Sequence, residues 1–280
     1  MAGVSRSGYY RWINTADLRA QRELDDLRDF ARIKEAYDYR GYAKGYRGIC
    51  MRLRRMGIHM NHKKVIRLMN KYGLKCPVRQ ANPYRRMAKA IQTNAIAKNH
   101  VNREFRDHGP RKILLTDITY IRLNEDFCYL SVIKDAFTMQ VLAYQLSMSL
   151  EVDFVLETVK QLLRNHLCSL DATTIIHSDQ GCHYTSVAFR QLLKDANLRQ
   201  SMSRRGNCWD NAPQESFFGH MKDELKPYLR NWQTFEDVKE RIDDWMHYYN
   251  NDRYQTTLGW MAPNEYYHYL VTNELPAALA

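Results

Sequence analysis

Apolar positions change their period twice along the chain. Residues 16–38, ADLRAQRELDDLRDFARIKEAYD, space their apolar groups as a helix does. Leu24, Leu27, Ala31 and Ile33 form only a thin stripe among charges, so this helix needs a partner to hold it. A loop rich in Gly and Tyr follows, RGYAKGYRGI. Tyr46, Ile49, Leu53 and Met56 then recur at helical spacing until Gly57 stops the helix. Asn61 is placed to cap a second short helix, HKKVIRLMNKYG. There Val65, Leu68 and Met69 face inward, and Lys63, Lys64, Arg67 and Lys71 stay outside. Two short helices, a Gly turn and a basic second helix suggest a helix-turn-helix. An ordinary helical hairpin with a solvated basic face fits the same local pattern. Residues 76–110 lose periodicity and read as a basic linker, partly helical.

From about Arg111 the pattern turns to short apolar, β-branched runs. KILLTDITYI, FCYLSVIKDAFT and QVLAYQLSMS read as three strands. Val152, Val155, Leu156, Val159, Leu162 and Leu163 then mark an amphipathic helix. TTIIHSDQG is a fourth strand ending in a Gly turn, Phe189, Leu192, Leu193 and Ala196 mark a second helix, and RQSMSR is a short fifth strand. Pro213 falls where a helix starts, with Phe217, Phe218, Met221 and Leu225 as its anchors. The tail helix carries Phe235, Val238, Ile242, Trp245, Met246 and Tyr249 on one side, with Thr234 and Asp237 set for a capping box. Its aromatic stripe reads as packing. The order implies an α/β fold, a mixed five-stranded sheet with flanking helices, preceded by a small all-α region.

Composition narrows the class. An apolar fraction of 45% over 280 residues excludes a disordered chain. No apolar run approaches the roughly 20 residues a membrane helix needs, and MAGVSRSGYYRW lacks an apolar signal core. The expectation is a soluble, cytoplasmic protein with no membrane partner. The net charge of +11 is unevenly spread, with 25 Lys and Arg against 9 Asp and Glu in residues 1–110. A basic arm on a mildly acidic body points to a polyanion, most simply nucleic acid. No two of the six cysteines form a CxxC pair, which leaves neither a zinc ribbon nor a disulfide framework.

Three carboxylates carry the candidate chemistry. Asp117 lies inside an apolar strand, where a lone charge costs several kcal/mol, about 3 or more, unless paired or metal-bound; Arg122 and Lys134 could pair with it. Asp179 ends the fourth strand, where open mixed sheets place their sites, although SDQG is also a common turn sequence. Glu215 lies in the first turn of its helix, a position Glu favours on dipole grounds alone. Gly219 in that helix costs about 1 kcal/mol against Ala, so close approach of a strand or of DNA is expected there. As a set they fall on the first strand, the fourth strand and a late helix. Sixty-one residues separate the first two and thirty-five the last two.

That spacing resembles the D,D-35-E signature of the retroviral-integrase superfamily, on an RNase H-like fold. RGNCWDNAPQESFFGHMKDEL, LLTDITYI and HSDQG resemble the motifs of the IS-three family of insertion-sequence transposases, in particular the downstream-frame OrfB product. YAKGYRGICMRLRRMGIHMNHKKVIRLMNKYGL resembles that family's helix-turn-helix, and YYNNDRYQTTLGWMAPNEY its C-terminal motif. The resemblance implies a DDE transposase. Asp117, Asp179 and Glu215 would be catalytic and would bind two Mg²⁺ (or Mn²⁺) ions, hard cations that suit oxygen donors. Water would cut a phosphodiester at the element's ends, and the freed 3′-OH would join another strand without a covalent enzyme intermediate. Lys63, Lys64, Arg67, Arg204, Arg205, Lys222 and Arg253 are the candidate DNA contacts. Arg204 and Arg205 read equally as solvated loop charges, and Trp209 as core or contact.

The implied partners are the element's terminal inverted repeats, target DNA, a second copy on paired ends (at least a dimer) and an upstream-frame OrfA-type protein, in a nucleoid-associated setting. The domains expected are a helical segment over 1–38, a DNA-binding region over 39–75, the linker over 76–110, an integrase catalytic core over 111–226 and a helical extension over 227–280. Two departures stand out: Gln255 occupies a position where the family commonly has His, and no heptad zipper is present. An RNase H-type nuclease without strand transfer and a non-catalytic DNA-binding regulator are the alternatives.

Overall fold

The computed structural model describes residues 5–42, 44–76, 96–124, 126–204, 208–229, 231–277 and 279. The chain divides into two compact units, Met1–Val78 and Arg79–Ala280.

The first unit is helical: α1 (Arg6–Asn14), α2 (Ala16–Asp38), α3 (Tyr46–Arg55) and α4 (His62–Lys71). Gly57 takes φ +73°, which a side chain would resist, and so ends the turn after α3. The Asn61 side chain accepts the Lys63 N–H at 2.9 Å and caps α4 as expected. Ile33 and Ala36 of α2, Ile49 and Leu53 of α3, and Val65 and Leu68 of α4 close one small core. The stripe expected on α2 is only partly the one used. Leu24, Leu27 and Ala31 point outward, and the buried positions are Asp26, Asp29, Ile33 and Ala36. The cause is charge. Arg67 clasps Asp26 with both terminal nitrogens at 2.8 and 2.6 Å, Lys71 adds a bond to Asp26 at 2.9 Å, and Lys64 pairs with Asp29. Paired carboxylates can sit on the inner face of a helix where lone ones cannot.

The second unit holds β1 (Ile113–Leu123), β2 (Asp126–Asp135), β3 (Val141–Ser147), α5 (Val152–His166), β4 (Ile175–Ser178), α6 (Cys182–Thr185), α7 (Val187–Asp195), β5 (Arg199–Met202), α8 (Ala212–Leu225), α9 (Phe235–Asn251) and α10 (Pro263–Thr272). The strands form one mixed sheet in the order β3-β2-β1-β4-β5. The β1–β2 and β2–β3 pairs are antiparallel, and β4 and β5 run parallel to β1. One core joins Leu114, Ile133, Val155, Val159, Leu162, Ile176, Phe189, Leu193 and Met202, so α5 and α7 pack on the sheet through the stripes read from the sequence. Gly219 is buried in α8, and α8 lies against β1. Both halves of the Thr234–Asp237 capping box form at the start of α9. Trp245 and Tyr249 of α9 stack 5.2 Å apart, and both pack on Phe217 of α8.

Residues 96–110 depart from the linker expected. The His100 N–H donates to Ser201 Oγ at 2.9 Å, Val101 is buried, and Asn99 and Arg103 bond to Asp210. This stretch is part of the second unit. Residues 77–95 of the expected linker lie outside the described residues. Among the described residues no helix is long and apolar enough to cross a membrane.

Candidate active site

The parallel pairing of β1 with β4 builds the site. Leu115 faces His177 in register, so two residues further on Asp117 and Asp179 stand side by side beyond the end of β4. Glu215 sits in the first turn of α8, which lies against β1. Strand register and helix packing thus bring three carboxylates into one another's field. Asp117 keeps some contact with solvent, yet protein surrounds most of it. That loss of water, with the negative charges of Asp179 and Glu215, pushes its carboxyl up from 3.8 to about 8.

Neither of the two basic residues that could pair with Asp117 does so. Arg122 turns away and donates from Nε to the Asn124 carbonyl at 2.9 Å. Lys134, fully buried on β2, donates to the Pro213 carbonyl at 3.0 Å and lies over the Phe217 ring. Burial, with the nearby Arg253 charge, lowers its ammonium to about 7. Asp117 instead accepts the Ile118 N–H on Oδ1 at 2.8 Å and the Asn211 Nδ2–H on Oδ2 at 2.9 Å. Asp179 accepts the Gly181 N–H at 2.8 Å. A Cβ on Gly181 would meet that carboxylate oxygen at 2.9 Å, so a side chain there would push the Asp179 carboxylate aside. Among the described residues no three His, Cys, Asp or Glu side chains are gathered tightly enough to hold a metal ion as they stand. Mutual repulsion opposes closer approach of bare carboxylates.

A buried anchor precedes α8. Asp210, almost wholly enclosed, accepts bonds from Arg103 Nε, from the Arg204 backbone and guanidinium, and from Asn99 Nδ2, all between 2.9 and 3.1 Å. The Arg204 bonds above all hold its carboxyl well below the usual range. Its carbonyl faces His177 Nε2 at 3.0 Å, which ties this turn to β4 two residues before Asp179. Asp210, Asn211 and His177 are site residues that periodicity could not find. The only signal for them was their place inside WDNAPQES and HSDQG.

The candidate DNA contacts scatter. Lys63 is exposed on α4. Lys64 and Arg67 pair with α2. Arg204 is held on Asp210. Lys222 lies 4.1 Å above the Tyr120 ring. Arg253 departs furthest from a surface cation: it is mostly buried and bonds Glu224 at 2.9 Å, while Trp245 Nε1 donates to the same carboxylate. The Gln255 N–H donates to the Met261 carbonyl at 3.0 Å, bridging the chain before α10. Arg205 and the Trp209 side chain lie outside the described residues.

Comparison with known proteins gives three kinds of match. Integrase core domain models match residues 107–208 and 196–263, and an HTH-like domain model matches residues 23–82. An "uncharacterized transposase-like protein" of Haemophilus influenzae is 36% identical over 212 residues, 75% of this chain and 94% of that protein. The insertion element IS600 "uncharacterized 31 kDa protein" of Shigella sonnei is 30% identical over 272 residues, 95% of this chain and 97% of that one. Among solved structures, a chain of the simian T-cell lymphotropic virus intasome bound to PP2A regulatory subunit B56 gamma aligns with TM-score 0.52 at 15% identity. That alignment covers 78% of this chain and 70% of that chain, a likeness of fold.

Proposed function

Because the chain belongs to the insertion-sequence transposases, with an HTH-like domain and an integrase core, we propose that it cuts DNA at its element's ends and joins the freed 3′-OH to a second strand. Asp117, Asp179 and Glu215 are the catalytic carboxylates of this reading. The observation that carries it is the state of Asp117: a mostly enclosed carboxylate, pressed by two others, with no Lys or Arg paired to it among the described residues. Such a group is poised for an external cation.

The donor set fits a hard divalent ion, since all three side chains offer carboxylate oxygen and no thiol or imidazole is needed. Asp117, Asp179 and Glu215 would hold two Mg²⁺ or Mn²⁺ ions. When bound, these ions would ease deprotonation of the attacking hydroxyl and neutralise charge gathering on the phosphate oxygens. The chain's own residues provide rigidity. Gly181 and Ile118 fix two of the carboxylates through backbone N–H groups. Asp210 and His177 hold the turn before α8 against β4, which limits drift of Glu215 from the other two. DNA contacts are proposed for Lys63 on α4 and for Lys222 at the edge of the site. A second copy on paired ends and an upstream-frame OrfA-type partner complete the proposal.

A strand-transfer assay tests it. The protein, Mg²⁺ and a duplex carrying the element's end with a free 3′-OH should yield joined products that vanish with Glu215→Gln. Cleavage without joining would favour a nuclease, and binding with neither would favour a regulator.

A further inference from the structure

Asn211 occupies the last position of the turn Cys208–Asn211 and is the residue from which α8 starts. Asn is a favoured helix cap, and its side chain there ordinarily accepts a backbone N–H of the first turn. Asn211 makes no such bond. Its amide is turned instead to Asp117, donating from Nδ2 to Oδ2 at 2.9 Å while the Ile118 N–H secures Oδ1. The side chain is 6% exposed, and its own Oδ1 is buried without a hydrogen-bond partner among the described residues. A buried amide oxygen in this state is costly, and native folds retain few of them. Simple relaxation is blocked, because the preceding Asp210 is bonded to Arg103, Arg204 and Asn99, and its carbonyl faces His177. The turn therefore holds an unsatisfied acceptor one side chain away from Asp117.

We propose that Asn211 is a positioning residue of the site: its amide N–H orients the Asp117 carboxylate, and its amide oxygen accepts a hydrogen bond from water carried by the divalent ion on Asp117. This rests on the metal reading given above. Groups that orient a ligating carboxylate commonly change metal affinity by about 10- to 100-fold when removed. Ion-bound water is a strong donor and needs an acceptor, which the unpartnered Oδ1 supplies. The same geometry explains why the residue forgoes capping.

Mn²⁺ binding to the full chain, read by electron paramagnetic resonance, tests the proposal alongside melting in EDTA. Asn211→Leu keeps approximate volume and removes both polar atoms, and Asn211→Ala serves if leucine does not fit the turn. The expected result is a 10- to 100-fold weaker Mn²⁺ affinity in whichever variant melts cooperatively, with its melting temperature in EDTA held, because removal of an unpaired buried oxygen offsets loss of the bond to Asp117. Wild-type affinity in a folded variant overturns the proposal. So does a melting temperature that falls in EDTA while Mn²⁺ affinity stays, which is the pattern of a purely structural asparagine. If wild-type protein and Asp117→Asn bind Mn²⁺ alike, the metal reading itself fails and takes this inference with it.

Discussion

Replacing Asp117 with Asn should flatten the pH dependence of stability of the metal-free protein. The wild-type carboxyl is raised from 3.8 to about 8 in the fold. Between those values the native state holds a proton that the unfolded chain releases. Stability from this group is thus complete below pH 3.8 and is lost as pH rises through about 8. Four units at about 1.4 kcal/mol each set a ceiling of about 6 kcal/mol. Residual water at the partly exposed side chain cuts this to about 2–3 kcal/mol. Asn accepts at only one atom, so either the Ile118 N–H or the Asn211 amide loses its acceptor, at about 1 kcal/mol at every pH. The net effect is a variant about 1 kcal/mol weaker than wild type near pH 4 and about 1–2 kcal/mol stronger above pH 8. For a unit of this size that upper gain is roughly 2–8 °C. Tryptophan fluorescence is the suitable probe, since four of the five Trp residues follow residue 79. Melts in EDTA from pH 4 to 9 would show a difference curve that climbs and then levels near pH 8. A flat difference curve would refute the argument that burial and the neighbouring carboxylates load Asp117. Adding Mn²⁺ should raise the wild type alone.

Other perturbations separate structure from contact. Gly181→Ala should displace the Asp179 carboxylate by contact at the new Cβ and cut strand transfer at least tenfold while leaving the melting temperature within about 2 °C; an unaltered rate would mean the turn tolerates the methyl. Arg253→Met should cost about 3 kcal/mol in urea melts, because it strands the buried Glu224, and adding Glu224→Gln should recover part of the loss; a loss of DNA affinity with unchanged stability would restore its reading as a DNA contact. Lys134→Met should gain on wild type at pH 7 and lose the advantage by pH 10.5. The depressed ammonium makes wild-type stability rise with pH across that window, and equal slopes in the two proteins would count against it. Lys63→Ala should lower the salt slope of DNA binding by about one unit, whereas Arg67→Met should lower the melting temperature and leave that slope alone; two equal slope changes would place both on DNA.

Much of the fold and part of the site were legible because they depend on neighbours in sequence. The strand around Asp117, the helix start at Pro213 and the Asn61 and Thr234 caps are local patterns, and each forms. Gln255 was visible as a departure, but its bridge to Met261 was not. The face of α2 was misjudged because apolar spacing alone ranked Leu24 and Leu27 above Asp26 and Asp29. The acids are buried only because Lys64 and Arg67 come from a helix some forty residues away. The same limit hid the anchor at Asp210, whose partners Asn99 and Arg103 lie more than a hundred residues earlier.

The sequence by itself determined which elements form, since period and caps are properties of the chain, and the spacing of Asp117, Asp179 and Glu215 supplied the resemblance on which the proposed chemistry rests. Only the tertiary structure decided which charges face one another. The parallel register of β1 and β4 set two carboxylates side by side, the packing of α8 turned Lys134 to Pro213 instead of Asp117, and a braced turn left the Asn211 oxygen unpaired beside them. These are consequences of long-range pairing, in which burial makes each polar neighbour count, and no local pattern encodes who that neighbour is.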